Sequence, residues 1–457
     1  MTDEATSVTE EPPYAPYLRY LSQVPKINLV LIGLWIIASV WLFFAIPIPV
    51  YADSAQYFDV SDIPLFPLTN FIYADRAFTV PLLLKLFPSE QAMTSFQLAL
   101  FIFSWGFLFL LVSDVIKPAI LSGLCIFFLS MVSLSWIFFF WNRAIMSESV
   151  SFSGFVLVFA LLCRFLLSPR PSRLLVYSIV PVWVLWNNSR DSNAYYSLCV
   201  ALIFFAAFAI HALREKTSRK WKEGMVIMGL VLCFTAVQIS AEADARREEL
   251  NMVNIIGQRI LPYPDRTADF VRLGMPLNEK VLCFRGKFYW NCSQDYSGFG
   301  TWLKSTAWKW AYTSWLLNHI TDYDLKTMIM DSDIIWTRDI ESTHVDIQTP
   351  PFSAFASTIG LPRGEALIVF ALAVLAAFLT ACFHIIKSRF RHWILTPAVM
   401  LAGTLPLTFI CYHGDAGGVD RHCLDIQLNF YVIGWVVIFW LISDLSGNKN
   451  ILKKLLT

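Results

Sequence analysis

The feature that most constrains this chain is a series of long apolar runs. About 20 apolar residues are needed to cross the ~30 Å hydrocarbon core of a bilayer. Scanning for such runs gives roughly ten, at 27–48, 94–112, 118–140, 149–167, 174–186, 194–213, 224–240, 366–386, 393–411 and 426–443. The fifth is the shortest. With 56% hydrophobic and only 15% charged residues, and a mean hydropathy of +0.56, the composition is that of an integral membrane protein. A net charge of +1 leaves no global pull towards nucleic acid.

Orientation follows from the distribution of Lys and Arg. One set of connections carries Arg164, Arg170 and Arg173; then Arg214, Lys216, Arg219, Lys220 and Lys222; then Lys387, Arg389 and Arg391; then Lys449, Lys453 and Lys454. These are expected in the cytoplasm, with both termini. The other connections, 49–93, 141–148, 187–193, 241–365 and 412–425, are then exterior. Residues 1–26 are expected to be a cytoplasmic segment; they are acidic and contain Pro, unlike a cleaved secretory signal.

The expected fold class is an all-α polytopic membrane protein of about ten spans with a small mixed α/β exterior domain. Residues 27–240 would form a transmembrane catalytic core with its first exterior loop at 49–93. Residues 241–365 would form the exterior soluble domain, and 366–457 the last spans and a cytoplasmic tail. Within the exterior domain, 280–284 and 333–336 read as short strands. Trp302, Trp308, Trp310 and Trp315 recur at helical spacing, which favours a core or interface belt over a sugar platform. In the first loop, the apolar stretch 78–87 reads as a helix lying in the interface or re-entering, since such a segment survives at membrane depth only when packed on protein. Most cysteines fall within spans; Cys283 and Cys292 fall in the exterior domain, where a disulfide could form in an oxidising compartment.

The candidate chemistry lies on the exterior side. Each short exterior loop carries a lone Arg among polar neighbours: Arg143 beside Asn142, Arg190 in Arg190-Asp191-Ser192-Asn193, and Arg421 in Asp420-Arg421-His422. One such Arg can be a headgroup anchor that snorkels, but three on one face argue for an anionic ligand, because guanidinium groups bind phosphate oxygens in a forked geometry. Asp53 follows the first span at the membrane rim, where a carboxylate can take a proton from a hydroxyl; it reads equally as a solvated loop acid. Glu148 opens the fourth span, where capping by the helix dipole is the competing reading. His413 and His422 bracket Gly414, Gly417 and Gly418, but their spacing fits no strong metal template. No Gly-rich nucleotide loop is present, and no Ser or Cys has a convincing base and orienting partner.

These residues resemble the multispanning GT-C glycosyltransferases, which take sugars from polyprenyl-phosphate donors. The resemblance rests on Asp53 after the first span, the stretch 77–87 leading into the second, the Arg143 to Ser147-Glu148-Ser149 element, Arg190-Asp191-Ser192-Asn193, and Arg421-His422. It covers most of 27–212 and implies a catalytic base in the first exterior loop, a role that falls on Asp53, with Asp59 and Asp62 as rivals. It implies nothing for 241–365.

The expectation is therefore an inverting glycosyltransferase in a cell membrane, such as a bacterial inner membrane, working at the periplasmic face. Its donor would be a polyprenyl-phosphate sugar and its acceptor a cell-envelope glycan or lipid-linked saccharide. Asp53 and Glu148 would be catalytic; Arg143, Arg190, Arg421 and His422 would hold the donor phosphate; Asp191 and Asn193 would contact substrate. No cofactor or resident metal is expected, although Glu148 could position a divalent cation. The alternative is a flippase or transporter of lipid-linked saccharide, which should show charges at mid-depth or paired broken helices. A membrane O-acyltransferase needs a His buried in a span, whereas His211 and His384 sit at interior ends.

Overall fold

A computed structural model describes residues 22–49, 51–215, 218–292, 296–305, 307–336, 348–385 and 394–447. Residues 1–21 and the expected cytoplasmic cations Lys216, Lys387, Arg389, Arg391, Lys449, Lys453 and Lys454 lie outside them. All regular structure among the described residues is helical.

Every apolar run becomes a helix, but not every helix is a span. Seven are long and apolar enough to cross a membrane, or nine if each of two bent pairs counts as one. The straight spans include α1 (Lys26–Ala45), α3 (Glu90–Val115), α5 (Ser147–Leu167), α7 (Asp191–Arg214), α8 (Arg219–Asp244) and α11 (Leu395–His413); the last, at Val419–Ser446, contains α12 (Leu424–Gly447). The expected count of ten therefore falls to seven to nine. Helix α6 (Arg173–Asn187) has 15 residues with Pro181 inside it, and at 1.5 Å per residue it extends only about 22 Å. The first bent pair joins α4 (Ala119–Leu134) to 136–142 at 61°; the second joins α9 (Pro351–Gly360) to α10 (Glu365–Ile385) at 49°.

The two breaks support each other. The Trp136 amide donates to Ser357 Oγ (3.1 Å), and Ser353 Oγ donates to the Leu134 carbonyl (2.7 Å). A Cβ at Gly360 would sit 2.5 Å from the Val132 amide nitrogen, so the helices cross where only glycine fits. Freed backbone groups are thus met by protein, the condition under which broken helices persist at membrane depth.

Helix α5 is the axis of the bundle, and nearly all its residues are buried. Tight aromatic packing surrounds it: a Cβ on Gly154 would lie 2.8 Å from Trp186, leaving little room for even one added methyl. In the first loop, α2 (Ala52–Asp62) is followed by a helix at Thr79–Leu86. Val80, Leu83 and Leu84 of the latter join the main core, so this stretch packs on the bundle.

Residues 252–323 carry a second core built around Met252, Ile256, Phe270, Phe284, Trp308 and Trp315, while Ile335 joins the main core. Both expected strands are short helices, Glu279–Leu282 and Ser332–Ile335, and among the described residues there is no strand to pair with. The first starts where the Asn278 side chain accepts from the Val281 amide at 3.1 Å, a cap that favours a helical turn over extension. Trp302, Trp308 and Trp315 are buried, whereas Trp310 is exposed. Cys283 and Cys292 are joined in a disulfide.

Candidate functional site

Helix polarity decides where the acids gather. Asp53, Glu148, Asp191 and Asp425 each lie in the first turn of a helix: α2, α5, α7 and α12. A helix N-terminus carries the positive end of its macrodipole, so a carboxylate there is stabilised by roughly 0.3–1 kcal/mol. Ion pairs and hydrogen bonds bring these turns to one end of the bundle, together with the first loop and the 414–418 loop.

Asp53 lies between two guanidiniums. Its Oδ1 is 2.8 Å from Arg76 Nη2, and its Oδ2 is 3.1 Å from Arg421 Nη1. Arg421 Nε is 3.4 Å from Glu148 Oε1, and the same oxygen is 3.7 Å from Arg190 Nη2. Arg190 is held by Asp425 Oδ2 at 2.8 Å and lies 2.9 Å from His422 Nδ1. Beneath it, Asp425 Oδ1 accepts from Ser151 Oγ (2.8 Å), which accepts from Asn193 Nδ2 (2.9 Å).

The cluster has a mouth and a floor. The Asp53, Arg76 and Arg421 side chains keep about a quarter of their surface, whereas Glu148, Arg190 and Asp425 keep 1%, 7% and 5%. Burial pushes the Asp53 carboxyl up, but the Arg76 and Arg421 charges outweigh burial and hold it below the usual carboxylate range. Three carboxylates (Asp53, Glu148, Asp425) face three guanidiniums (Arg76, Arg190, Arg421), so the site is close to neutral as it stands. An arriving anion must replace a carboxylate at one of the guanidiniums, and Asp53 is the one at the mouth.

Of the expected residues, Asp53, Glu148, Arg190, Arg421 and His422 come together. Asp59 and Asp62 are exposed further along α2, so Asp53 alone of the three joins the cluster. Asn193 enters as the buried donor to Ser151, Ser189 and the Trp186 carbonyl, beneath the cluster. Arg143 stands elsewhere: its Nε donates to the Ile46 carbonyl at 2.8 Å and its guanidinium lies 4.3 Å from the Phe43 ring. It seals the end of α1, where Pro47 stops the helix and leaves a carbonyl to satisfy. Asp191 pairs with Arg247 (2.8 Å) and accepts from Gln238 (2.7 Å). Arg247 also donates to the Ile72 and Ala74 carbonyls, tying the first loop to the start of α7.

Sequence reasoning missed Arg76, Asp425 and Arg247. Arg76 sits in a loop read for its acids and its apolar stretch, and Asp425 in the first turn of the last span, the same position that drew notice to Glu148. Among the described residues no three His, Cys, Asp or Glu side chains gather as a metal site. Glu148 and Asp53, the carboxylates best placed for a cation, face guanidiniums instead.

The class these features define is a multi-pass α-helical membrane protein with a charged cluster at one end of its bundle. Comparison with family models, with curated proteins and with solved structures finds no match.

Proposed function

We propose that the protein is an inverting glycosyltransferase that takes a sugar from a polyprenyl-phosphate donor. The acceptor is a hydroxyl of a cell-envelope glycan or lipid-linked saccharide, and transfer occurs at the exterior membrane face. The observation that carries the reading is Asp53 held between Arg76 and Arg421, with Arg190 and His422 behind. Donor phosphate binds at Arg421 and Arg76, displacing Asp53 and freeing its carboxylate. Asp53 then takes the proton of the acceptor hydroxyl as its oxygen attacks the anomeric carbon. The bond from that carbon to the phosphate oxygen breaks with inversion, and polyprenyl phosphate leaves with one more negative charge than it brought. Fixed guanidiniums stabilise that charge, so no general acid is needed. Glu148 lies behind the arginines and positions them. The resemblance to the GT-C glycosyltransferases supports the same assignment.

The test is transfer or release of labelled sugar from polyprenyl-phosphate donors by the purified protein in lipid nanodiscs. Release into a glycan acceptor supports the reading; no turnover with any donor rejects it.

A second reading has its own observation. The two bent helix pairs are a feature expected of a transporter of lipid-linked saccharide. Their freed backbone groups are occupied by Ser353, Ser357, Tyr431 and Trp435, which makes them structural elbows and not open ion sites. Movement of a labelled lipid-linked saccharide across liposomes without sugar transfer would favour this reading.

A further inference from the structure

Two short helices, Leu325–Met330 and Ser332–Ile335, lie against the last span with an apolar side turned outward. Their inner side is tied to the bundle. Met328, Ile335 and Trp336 pack with the main core, Gln427 Nε2 donates to the Ile335 carbonyl at 2.8 Å, and the Tyr412 hydroxyl donates to Asp331. On the outer side Ile329 and Met330 are 72% and 70% exposed, and Leu325 and Ile334 are 49% and 43% exposed. Apolar residues scattered singly are ordinary on a water-facing surface. Four within ten residues form a patch that calls for an occupant.

The depth of the segment identifies that occupant. Trp336 packs on Phe430 and Tyr431 of α12, with ring centroids 5.2 and 6.1 Å away. Phe370 of α10 packs on the same two rings, at 5.4 and 5.9 Å. Trp336 and Phe370 therefore sit at one level along α12, about 9 Å from its start at Leu424 by a rise of 1.5 Å per residue. Helix α10 belongs to the second bent pair, which has the length and apolarity of a span. Its residues Ile368, Val369 and Leu372, next to Phe370, are 61%, 66% and 60% exposed. Apolar side chains left open on a span face lipid. The segment that ends at Trp336 has thus entered the layer in which α10 meets lipid, and its open side faces that layer.

We propose that residues 325–336 are an interfacial anchor, with Leu325, Ile329, Met330 and Ile334 immersed in the bilayer at the cluster's end of the bundle. Interfacial helices sit about 5–10 Å into the boundary between headgroups and acyl chains, a depth that fits a segment level with the first two turns of α12. Lys326 and Asp333 are exposed among the apolar residues; at this depth a lysine stem lies along the acyl boundary while its charge reaches the headgroups. The anchor follows directly on the core at 252–323 and ties that region down to the membrane surface. Through Asp331 it also holds Tyr412, two residues before the 414–418 loop that leads to Arg421.

The experiment uses the full chain in phosphatidylcholine nanodiscs. Photoreactive benzoylphenylalanine replaces Ile329, Met330 or, as the reference within α10, Ile368, and adducts are identified by mass spectrometry after irradiation. The expected result is phospholipid adducts at 329 and 330 in yields within about threefold of that at 368. Adducts at 368 alone overturn the proposal, because the patch then faces water. Crosslinked dimers in place of lipid adducts overturn it in favour of a second copy as the occupant. No adduct at any of the three removes α10 from the lipid, and the proposal with it. Hydrogen exchange tests the anchoring without a photoprobe: Met330→Asp should speed exchange of 325–336 by about tenfold or more, while 264–272 stays as in the parent. A segment facing water would accept that aspartate with no change in exchange, and this result also overturns the proposal.

Discussion

Arg421 and Asp53 stand 368 positions apart in sequence, and their side chains meet at 3.1 Å. The contact forms only when the first loop and the segment before the last span fold over the same end of the bundle. Arg421 also faces Glu148, so it is the guanidinium shared between mouth and floor. Replacing it with Ala removes a charge-assisted contact of about 1.5–3 kcal/mol. Undecaprenyl phosphate binding, measured by titration in nanodiscs, should weaken by about tenfold or more, with Arg421→Lys intermediate. Unchanged affinity would remove Arg421 from the phosphate site.

Asp425 and Arg190 form the buried floor, with side-chain exposures of 5% and 7%. Removing one member of such a pair leaves an uncompensated buried charge and costs about 3–5 kcal/mol. Arg190→Ala should therefore lower the unfolding midpoint more than Arg421→Ala, whose pairs are partly open to water. Scanning fluorimetry of the three proteins in one detergent gives the comparison.

Arg247 is a clamp. It is almost fully buried and holds Asp191 together with the Ile72 and Ala74 carbonyls, two positions before Arg76. Arg247→Ala should free the first loop, and hydrogen exchange of 68–79 should rise while exchange in α5 stays slow. Equal exchange in the two proteins would mean that the loop is fixed by its apolar contacts alone.

Asp324 supplies a pH test away from the cluster. It is fully buried, neither carboxylate oxygen has a partner, and burial pushes its pKa to about 6, with Asp322 adding and His319 opposing. In the unfolded chain the carboxyl ionises near 3.8. Between those values the folded state binds more protons, so stability falls as pH rises from about 4 to 6. Asp324→Asn should abolish that slope and, by removing a poorly solvated charge, stabilise the protein at pH 7 by about 1–3 kcal/mol. Parallel stability curves for the two proteins would contradict this.

How much was legible in the sequence differs by element. Apolar length marks the helices, because every backbone group in hydrocarbon must be satisfied within a helix; it does not show that the run 118–140 bends by 61° at Ser135. That bend depends on Ser353 and Ser357, far along the chain. The pattern of a lone Arg in a short loop picks out Arg190 and Arg421, which join the cluster, and equally Arg143, which packs at the end of α1. The strands expected at 280–284 and 333–336 failed because local composition cannot supply a neighbouring strand. Arg76 and Asp425 escaped notice because each matters through a contact made only on folding, Arg76 with Asp53 across the first loop and Asp425 with Arg190, 235 positions away.

The most direct measurement compares wild-type protein with Asp53→Asn, following labelled sugar transfer and undecaprenyl phosphate binding on the same nanodisc preparations. The account predicts that Asp53→Asn lowers transfer by about 10²-fold or more while leaving phosphate binding equal or tighter, since the neutral amide competes less for Arg76 and Arg421. Wild-type rates of transfer in Asp53→Asn would contradict it.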